Sequence, residues 1–537
     1  MLLAALFALL FLTAAAIVIT QASKPNTARA WLIAIIGTGS ALVLVLVLRL
    51  YLPSQFNLIV WQPQALWQAN PFLTLDYHSW PYALAIITVC LAVILTDTTR
   101  AYTRTSSVNW AGSITLSAVN LIAIMAGDPL TLAMSWALVD AIKLIYLLAL
   151  QRGSEIEGGP IQAFGLRLAS LTALIAATSA GWQSAPGFTL LAIPPKAAIY
   201  LLLAAGLRMG VLPLNLSYLE TPEMRRGSSM LLRLLPVASA LVLISRLPAG
   251  LAELPGILPD LLRVLTVLAA IYSALMWATR INAYEARPFW IVALASFAVF
   301  SALNDQAAAA RAWGLALILS GALLFLFDPP VRRIRFLPLI GLIGLVGLPY
   351  TPLVSGWEGV LGQGLNFSAL WMILAHALLV LGYLRYVFEA NTPITGIEKH
   401  ARISFPLGLV LIIETLLVIG LVGWPGSFNF GTPFPALVSL GVVFLGVFAT
   451  LRLGLTVPFT DLQRRLPAYR LARTLFDQAT YILSLRWLRQ FLAWLFSVLS
   501  GMGRVLTRIV EGPGGILWSL VFIMLLVTVF LTQVRLP

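Results

Sequence analysis

Residues 197–218 read Ala-Ala-Ile-Tyr-Leu-Leu-Leu-Ala-Ala-Gly-Leu-Arg-Met-Gly-Val-Leu-Pro-Leu-Asn-Leu-Ser-Tyr. The run is long and apolar enough to cross a bilayer, which takes ~20 residues of helix. Yet Arg208 sits inside it, and Gly210 and Pro213 follow. Glycine and proline open the hydrogen bonds of a helix, and within a membrane such a gap is tolerated only where it is buried in protein or lines a wet cavity. A charge beside a break therefore points to a bundle of many helices rather than a single anchor. The same grammar recurs at Gly347-Leu-Pro349-Tyr-Thr-Pro352, ahead of Glu358. Breaks beside charges in corresponding positions of two halves are the pattern expected of transporters with inverted repeats.

Outward from these breaks the rest of the chain agrees. Of its 537 residues, 60% are hydrophobic and 10% charged, against roughly 25% charged in a soluble domain. We expect an all-α polytopic membrane protein of about sixteen transmembrane helices. These lie at 2–20, 31–52, 81–96, 108–126, 130–150, 164–181, 197–218 and 229–244, then at 261–278, 288–303, 313–327, 336–353, 365–387, 403–422, 435–457 and 515–532. Helices seven and twelve are the broken ones. The expected organisation is N-terminal helices over 1–107, a first half over 108–246, a second over 247–388, additional helices over 389–457, a basic surface segment over 458–513 and a last crossing over 514–537.

Lysine and arginine fall in alternate loops, as the positive-inside rule requires. Lys24 with Arg29, Arg100 with Arg104, Arg152, Arg225 with Arg226, Arg280 with Arg287, Arg332 with Arg333 and Arg335, and Lys399 with Arg402 mark the inner side. The intervening loops carry mainly acids or nothing, so both termini are expected on the outer side of a cell membrane. The +14 net charge is thereby assigned to inner loops, and no nucleic-acid partner is expected. The first apolar run lacks a basic stretch ahead of it and reads as a retained helix. Eight arginines between Arg464 and Arg508 flank and interrupt the apolar stretch 481–499, which favours a helix lying along the inner surface over a further crossing.

Ionisable groups at membrane depth are costly and default to a functional hypothesis. Asp140 and Lys143 lie mid-helix at a spacing that lets them share a face, Arg208 lies within the seventh helix, and Arg233 starts the eighth. Glu285 and Arg287 precede the tenth helix, and Glu358 follows the second break. For Asp140 with Lys143 the plain alternative is a structural ion pair. For Arg233, Glu285 and Arg287 it is a side chain reaching for the interface, and for Glu358 beside Trp357 an interfacial anchor. Cys90 is the only cysteine and the histidines, His78, His376 and His400, are scattered. No metal cluster, phosphate loop or dinucleotide fingerprint is present, so no cofactor is expected in this chain.

The order of these features resembles the antiporter-like membrane subunits of respiratory complex I and their relatives in membrane-bound hydrogenases and cation/proton antiporters. The resemblance covers roughly 76–385. Leu75-Asp76 is similar to the family's Leu-Asp opening, and Trp136-Ala-Leu-Val-Asp140 resembles the helix whose acid begins the proton path, with Asp in place of Glu. Gly206-Leu-Arg208-Met-Gly-Val-Leu-Pro213, followed by Tyr218-Leu219, Pro222 and Ser229, resembles the first broken helix, with Arg208 at the lysine position. In that register Asn215 falls at a family His or Gln, Arg233 at a His, and Ser239 near the lysine of the eighth helix. Glu285-Ala-Arg287 resembles Asp-x-Lys. Gly321-Ala-Leu-Leu-Phe-Leu326 resembles Lys-Ala-Leu-Leu-Phe-Leu without its lysine. Gly347 through Glu358 resembles the second broken helix, and Tyr383-Leu-Arg385 matches Tyr-Leu-Arg. A surface helix before a last crossing resembles the lateral helix of the family's longest members.

The resemblance implies a non-catalytic membrane subunit of a complex-I-type oxidoreductase or hydrogenase-like assembly that contributes to proton movement among other membrane subunits. Asp140 with Lys143 would begin the path, Arg208 would be a fixed central charge and Glu358 the exit-side carboxylate. Lysine serves proton relays because its pKa falls readily on burial, whereas arginine keeps its proton. Arg208, Ser239 and Gly321 therefore leave open two alternatives: a degenerate structural subunit, or a stand-alone transporter component for a cation or inorganic carbon.

Overall fold

A computed structural model describes residues 2–23, 26–58, 70–97, 107–150, 159–185, 187–215, 226–251, 257–280, 283–327, 334–347, 351–362, 364–388, 401–424 and 434–452, together with 490, 494, 497, 500, 501 and 520–528. Residues Met1–Leu462 form one compact unit and Gln463–Pro537 a second. In the second, 520–528 is helical. Of the expected surface segment only 490, 494, 497, 500 and 501 are described, each helical, and both ends of the last crossing lie outside the described residues.

The first unit is almost wholly helical. In order it comprises α1 (Leu2–Ser23), α2 (Thr27–Leu48), α3 (Trp80–Asp97), α4 (Ser107–Ile124), α5 (Pro129–Leu150), α6 (Gly159–Trp182), α7 (Pro195–Met209) and α8 (Arg226–Ser245). There follow α9 (Leu258–Thr279), α10 (Ala283–Leu303), α11 (Ala307–Leu326), α12 (Phe336–Val346), α13 (Gly356–Leu361), α14 (Phe367–Phe388), α15 (Ala401–Val418) and α16 (Phe434–Arg452). Among the described residues, 12 helices are long and apolar enough to cross a membrane. The protein is an all-α polytopic membrane protein, and fifteen of the sixteen expected spans coincide with helices of this unit.

Apolar composition does not distinguish a helix facing lipid from one enclosed by protein, and the packing does. Every residue of α3 is buried, as is α11 from Ala309 to Leu326, whereas α1 and α2 each present a face carrying exposed Leu12, Ile19, Ile36 and Val43. The bundle is thus built around α3, α8, α10 and α11. Indole N–H groups tie its layers together. Trp31 donates to the Ile94 carbonyl at 3.1 Å, Trp80 to Val45 at 2.8 Å, Trp277 to Leu379 at 3.2 Å and Trp313 to Gly356 at 2.9 Å.

A two-stranded antiparallel hairpin, β1 (Ser54–Asn57) with β2 (Phe72–Leu75), pairs Ser54 with Leu75 and Asn57 with Phe72. Nothing in the apolar pattern announced it. It is held to the α4–α5 turn, where the Thr74 N–H donates to the Met125 carbonyl at 2.6 Å and the Phe72 N–H to Asp128 at 3.0 Å. Asp76 then closes the turn into α3, accepting from the Ser79 N–H at 2.8 Å and the Ser79 hydroxyl at 2.7 Å.

Both expected breaks are present, and both shorten the expected helices. The run 197–218 stops at Met209, where Gly210 turns left-handed at φ 80° and its N–H returns to the Gly206 and Leu207 carbonyls. The Asn215 amide adds a 3.4 Å bond to the Leu207 carbonyl. The run 336–353 stops at Val346 with Gly347 at φ 83°, and the chain resumes through a 3-10 turn at Pro352–Ser355 before α13. Here the freed carbonyls are met by side chains. Trp357 donates to Val346 at 3.1 Å and His376 to Leu345 at 2.9 Å, while the other His376 ring nitrogen lies 2.7 Å from the Ser439 hydroxyl.

A side chain at Gly347 would meet both the left-handed strain of about 1–2 kcal/mol and the Trp357 indole 3.0 Å away. Gly347→Ala is expected to lower the melting temperature of the detergent-solubilised protein, while Gly112→Ala, whose added methyl meets nothing within 4 Å, leaves it unchanged.

Candidate functional site

An ion cluster is assembled from three helices, α5, α6 and α7. Asp140 on α5 is buried, and both its carboxylate oxygens are engaged by the guanidinium of Arg208 from the last turn of α7, at 2.9 and 3.1 Å. Arg167 of α6 adds a third bond at 2.8 Å. A bidentate arginine–carboxylate pair fixes orientation as well as charge. The break after Met209 places Arg208 at a helix end, where it is free to reach across to α5. Lys143, also buried, stands one turn further along α5.

The same guanidinium lies over the Trp136 ring at 4.4 Å. Trp136 in turn donates its indole N–H to the Ser239 hydroxyl of α8 at 2.8 Å. Asp140, Arg208, Trp136 and Ser239 thus form one continuous chain of polar and cation–π contacts from α7 to α8.

The other candidates divide. Arg233 on α8 is buried, and Arg287 on α10 is 1% exposed with its guanidinium 5.0 Å from the Phe325 ring and 3.5 Å from the Tyr386 hydroxyl. Both are enclosed by protein, Arg233 within its span and Arg287 at the third residue of its own. Glu285, one helical step away, pairs instead with Arg280 at 3.2 Å in a bridge whose partners are 41% and 43% exposed. Glu358 is exposed at the start of α13, a segment packed on α10, α11 and α14 and not on α5 or α7. The structure therefore gathers Asp140, Lys143 and Arg208 into one site, buries Arg233 and Arg287 elsewhere in the core, and leaves Glu285 and Glu358 at the surface of the chain.

No family model matches the sequence, and no curated protein is similar enough to count as a relative. Solved structures are similar over most of the chain. The structure of the Mrp complex from Dietzia sp. DQ12-45-1b contains a chain matched with a TM-score of 0.66 at 16% identity, over 94% of this chain and 63% of that one. A chain of the membrane-bound sulfane sulfur reductase, an archaeal respiratory membrane complex, matches with a TM-score of 0.65 at 14% identity, over 98% and 99%. A chain of respiratory complex I from Thermus thermophilus matches with a TM-score of 0.58 at 15% identity, over 78% and 98%. The chain shares the fold of these three membrane-complex chains. It spans 63% of the length of the Mrp chain it matches.

Against that fold, two tryptophans explain two departures seen in the sequence. Trp136 fills the space beside Ser239, where the resemblance places a lysine. Trp290 does the same at Gly321: a Cβ added there would lie 2.7 Å from the Trp290 indole nitrogen and 3.5 Å from Leu234 of α8. That indole donates to the Leu317 carbonyl at 3.2 Å and packs among Trp277, Phe325 and Tyr383. At both positions the space is taken by an indole.

Arg167 escaped the sequence reading because it stands near the start of its helix, where a basic residue ordinarily meets the interface. The composition of α6 held no signal to separate it from Arg152.

A second polar knot gathers before α3, from residues outside the spans together with Arg311 near the start of α11. Arg246 from the end of α8 pairs with Asp76 at 3.1 Å and donates to the Ala126 carbonyl at 2.9 Å. Arg311 donates to the Tyr77 carbonyl at 2.8 Å and sits 4.3 Å from the Trp424 ring. Burial alone would raise the Asp76 carboxyl, but Arg246 and the Ser79 hydrogen bonds outweigh it and hold it below its ordinary value. Burial, and then the Arg311 charge, push His78 down from 6.5 to about 4.

Removing Asp140 strands two arginines. Asp140→Ala is expected to cost about 3–5 kcal/mol, read as lost thermal stability, and Asp140→Leu with Arg208→Met less than Asp140→Ala alone. The His78 shift fixes the sign of a pH effect. Between pH 6.5 and about 4 the unfolded chain binds a proton that the folded chain refuses, so stability is full above 6.5 and declines as pH falls through this window. The melting temperature should follow that course, with a shallower decline in His78→Gln.

Proposed function

We propose that the chain is an antiporter-like membrane subunit of a multi-subunit, complex-I-type assembly driven by redox chemistry, with Asp140 and Arg208 as its electrostatic coupling element. The observation that carries this reading is the buried, bidentate Asp140–Arg208 pair at the break of α7, on a fold shared with chains of three membrane complexes, two of them respiratory. A proton or an approaching charge at Asp140 loosens its hold on Arg208. The guanidinium then keeps its face on Trp136, and the ion pair becomes a two-position switch rather than a carrier. Proton movement is confined to the first half, where Asp140 and Lys143 retain titratable groups. Redox cofactors belong to partner subunits and none to this chain. The assembly sits in the cell membrane, with both termini on the outer side and other membrane subunits and lipid as the neighbours.

The filling of the Ser239 and Gly321 positions by Trp136 and Trp290 favours a second reading, a subunit that holds its assembly together without passing protons. Proton uptake per redox turnover, measured in proteoliposomes holding the intact purified assembly, separates the two. Asp140→Asn should lower protons moved per turnover by at least about twofold, with subunit composition unchanged. Undiminished uptake would establish the scaffold role.

A further inference from the structure

α15 carries a carboxyl group that the rest of the described chain does not enclose. Glu414 lies within two residues of the midpoint of the span Ile403–Val422, which at ~1.5 Å of rise per residue puts its Cα a few ångströms from the middle of the bilayer. Its side chain is exposed. Among the described residues no other ionisable side chain in the middle of a span is exposed. The orientation of α15 is fixed from another side, roughly 100–120° around the helix from Glu414, where the neighbouring Thr415 meets Thr88 of α3 across 2.9 Å and a Cβ at Gly408 would lie 3.0 Å from the Ala92 carbonyl. α15 therefore cannot roll to hide Glu414. The residues sharing its outward stripe are Ile403, Leu407 and Leu417, at 72%, 53% and 39% exposure, which suit lipid or an apolar helix equally. A carboxyl group at that depth suits neither unless it is met.

We propose that this stripe is an intramembrane subunit interface, and that the occupant is a transmembrane helix of a partner subunit bearing a basic side chain at the depth of Glu414. Charge decides among the occupants. A second copy docked symmetrically would set acid against acid. The last apolar stretch of this chain, 515–532, contains no ionisable residue. A basic residue supplied from outside neutralises Glu414 and seats its helix on the three apolar neighbours. The inference rests on the proposed membership of a multi-subunit assembly and adds the face at which one neighbour docks.

The test is labelling of the assembly, purified in mild detergent, with dicyclohexylcarbodiimide, an apolar reagent for intramembrane carboxyl groups, followed by peptide mass spectrometry. Glu414 should be protected in the assembly and modified at least tenfold more in the chain stripped of its partners. Equal modification in both states would place Glu414 against lipid, and protection in both would mean that this chain or a second copy covers it. Either result overturns the proposal while leaving the subunit reading intact. A chain that purifies from native membranes with no partner overturns both. In the assembly, Glu414→Lys should reduce the amount of at least one co-purifying membrane subunit tenfold and Glu414→Gln by less. Unchanged stoichiometry in Glu414→Lys contradicts the interface independently of how the stripped chain behaves.

Discussion

A helix broken inside a membrane leaves carbonyls that no water will solvate, and most of what is distinctive in this chain follows from meeting that demand. At the α12 break the donors are an indole and an imidazole, Trp357 to Val346 and His376 to Leu345. At the α7 break they are the chain's own N–H groups and the Asn215 amide. Because His376 gives one nitrogen to a carbonyl, which only accepts, its other nitrogen is left to accept from Ser439, so that α12, α14 and α16 are joined through a single tautomer. The other cross-helix indole bonds apply the same solution to intact helices. Tryptophan is suited to this work, since it brings a large apolar body with one donor and no group that must itself be satisfied.

The charges obey the converse constraint. Asp140 does not stand alone in the core; it is the counter-ion through which two arginines enter it. Arginine's planar fork makes such a bidentate bond and its charge is permanent, so the first half holds a defined electrostatic element where lysine would have given a protonation site. Residues 247–388 hold Arg287 against an aromatic face and no comparable buried carboxylate among those described. The two breaks are alike in backbone but not in the charges beside them.

The sequence disclosed the class of fold and both breaks, because length, apolarity and the Gly/Pro positions are local properties. It did not disclose which helices are central: α1 and α3 both read as spans, with mean hydropathy 2.9 and 1.8, and only packing shows that the less apolar α3 is the enclosed one. Glu285 and Arg287 read as one motif, yet two residues on a helix stand roughly 200° apart, and one faces out while the other is buried. Arg167 and Glu414 went unremarked for a related reason: what gives each its meaning is the direction in which its helix faces. The β1–β2 hairpin was hidden because four-residue strands between apolar helices leave no periodicity to detect.

The fit of Trp290 against Gly321 makes the two positions one unit. A longer side chain placed at 321 alone would collide with the indole, and a smaller residue placed at 290 alone would leave a cavity among Trp277, Phe325 and Tyr383. Each single change is disadvantageous, and only a change at both is sound. The two positions are therefore coupled, and the room for a side chain at 321 is set by a residue on another helix rather than by 321 itself.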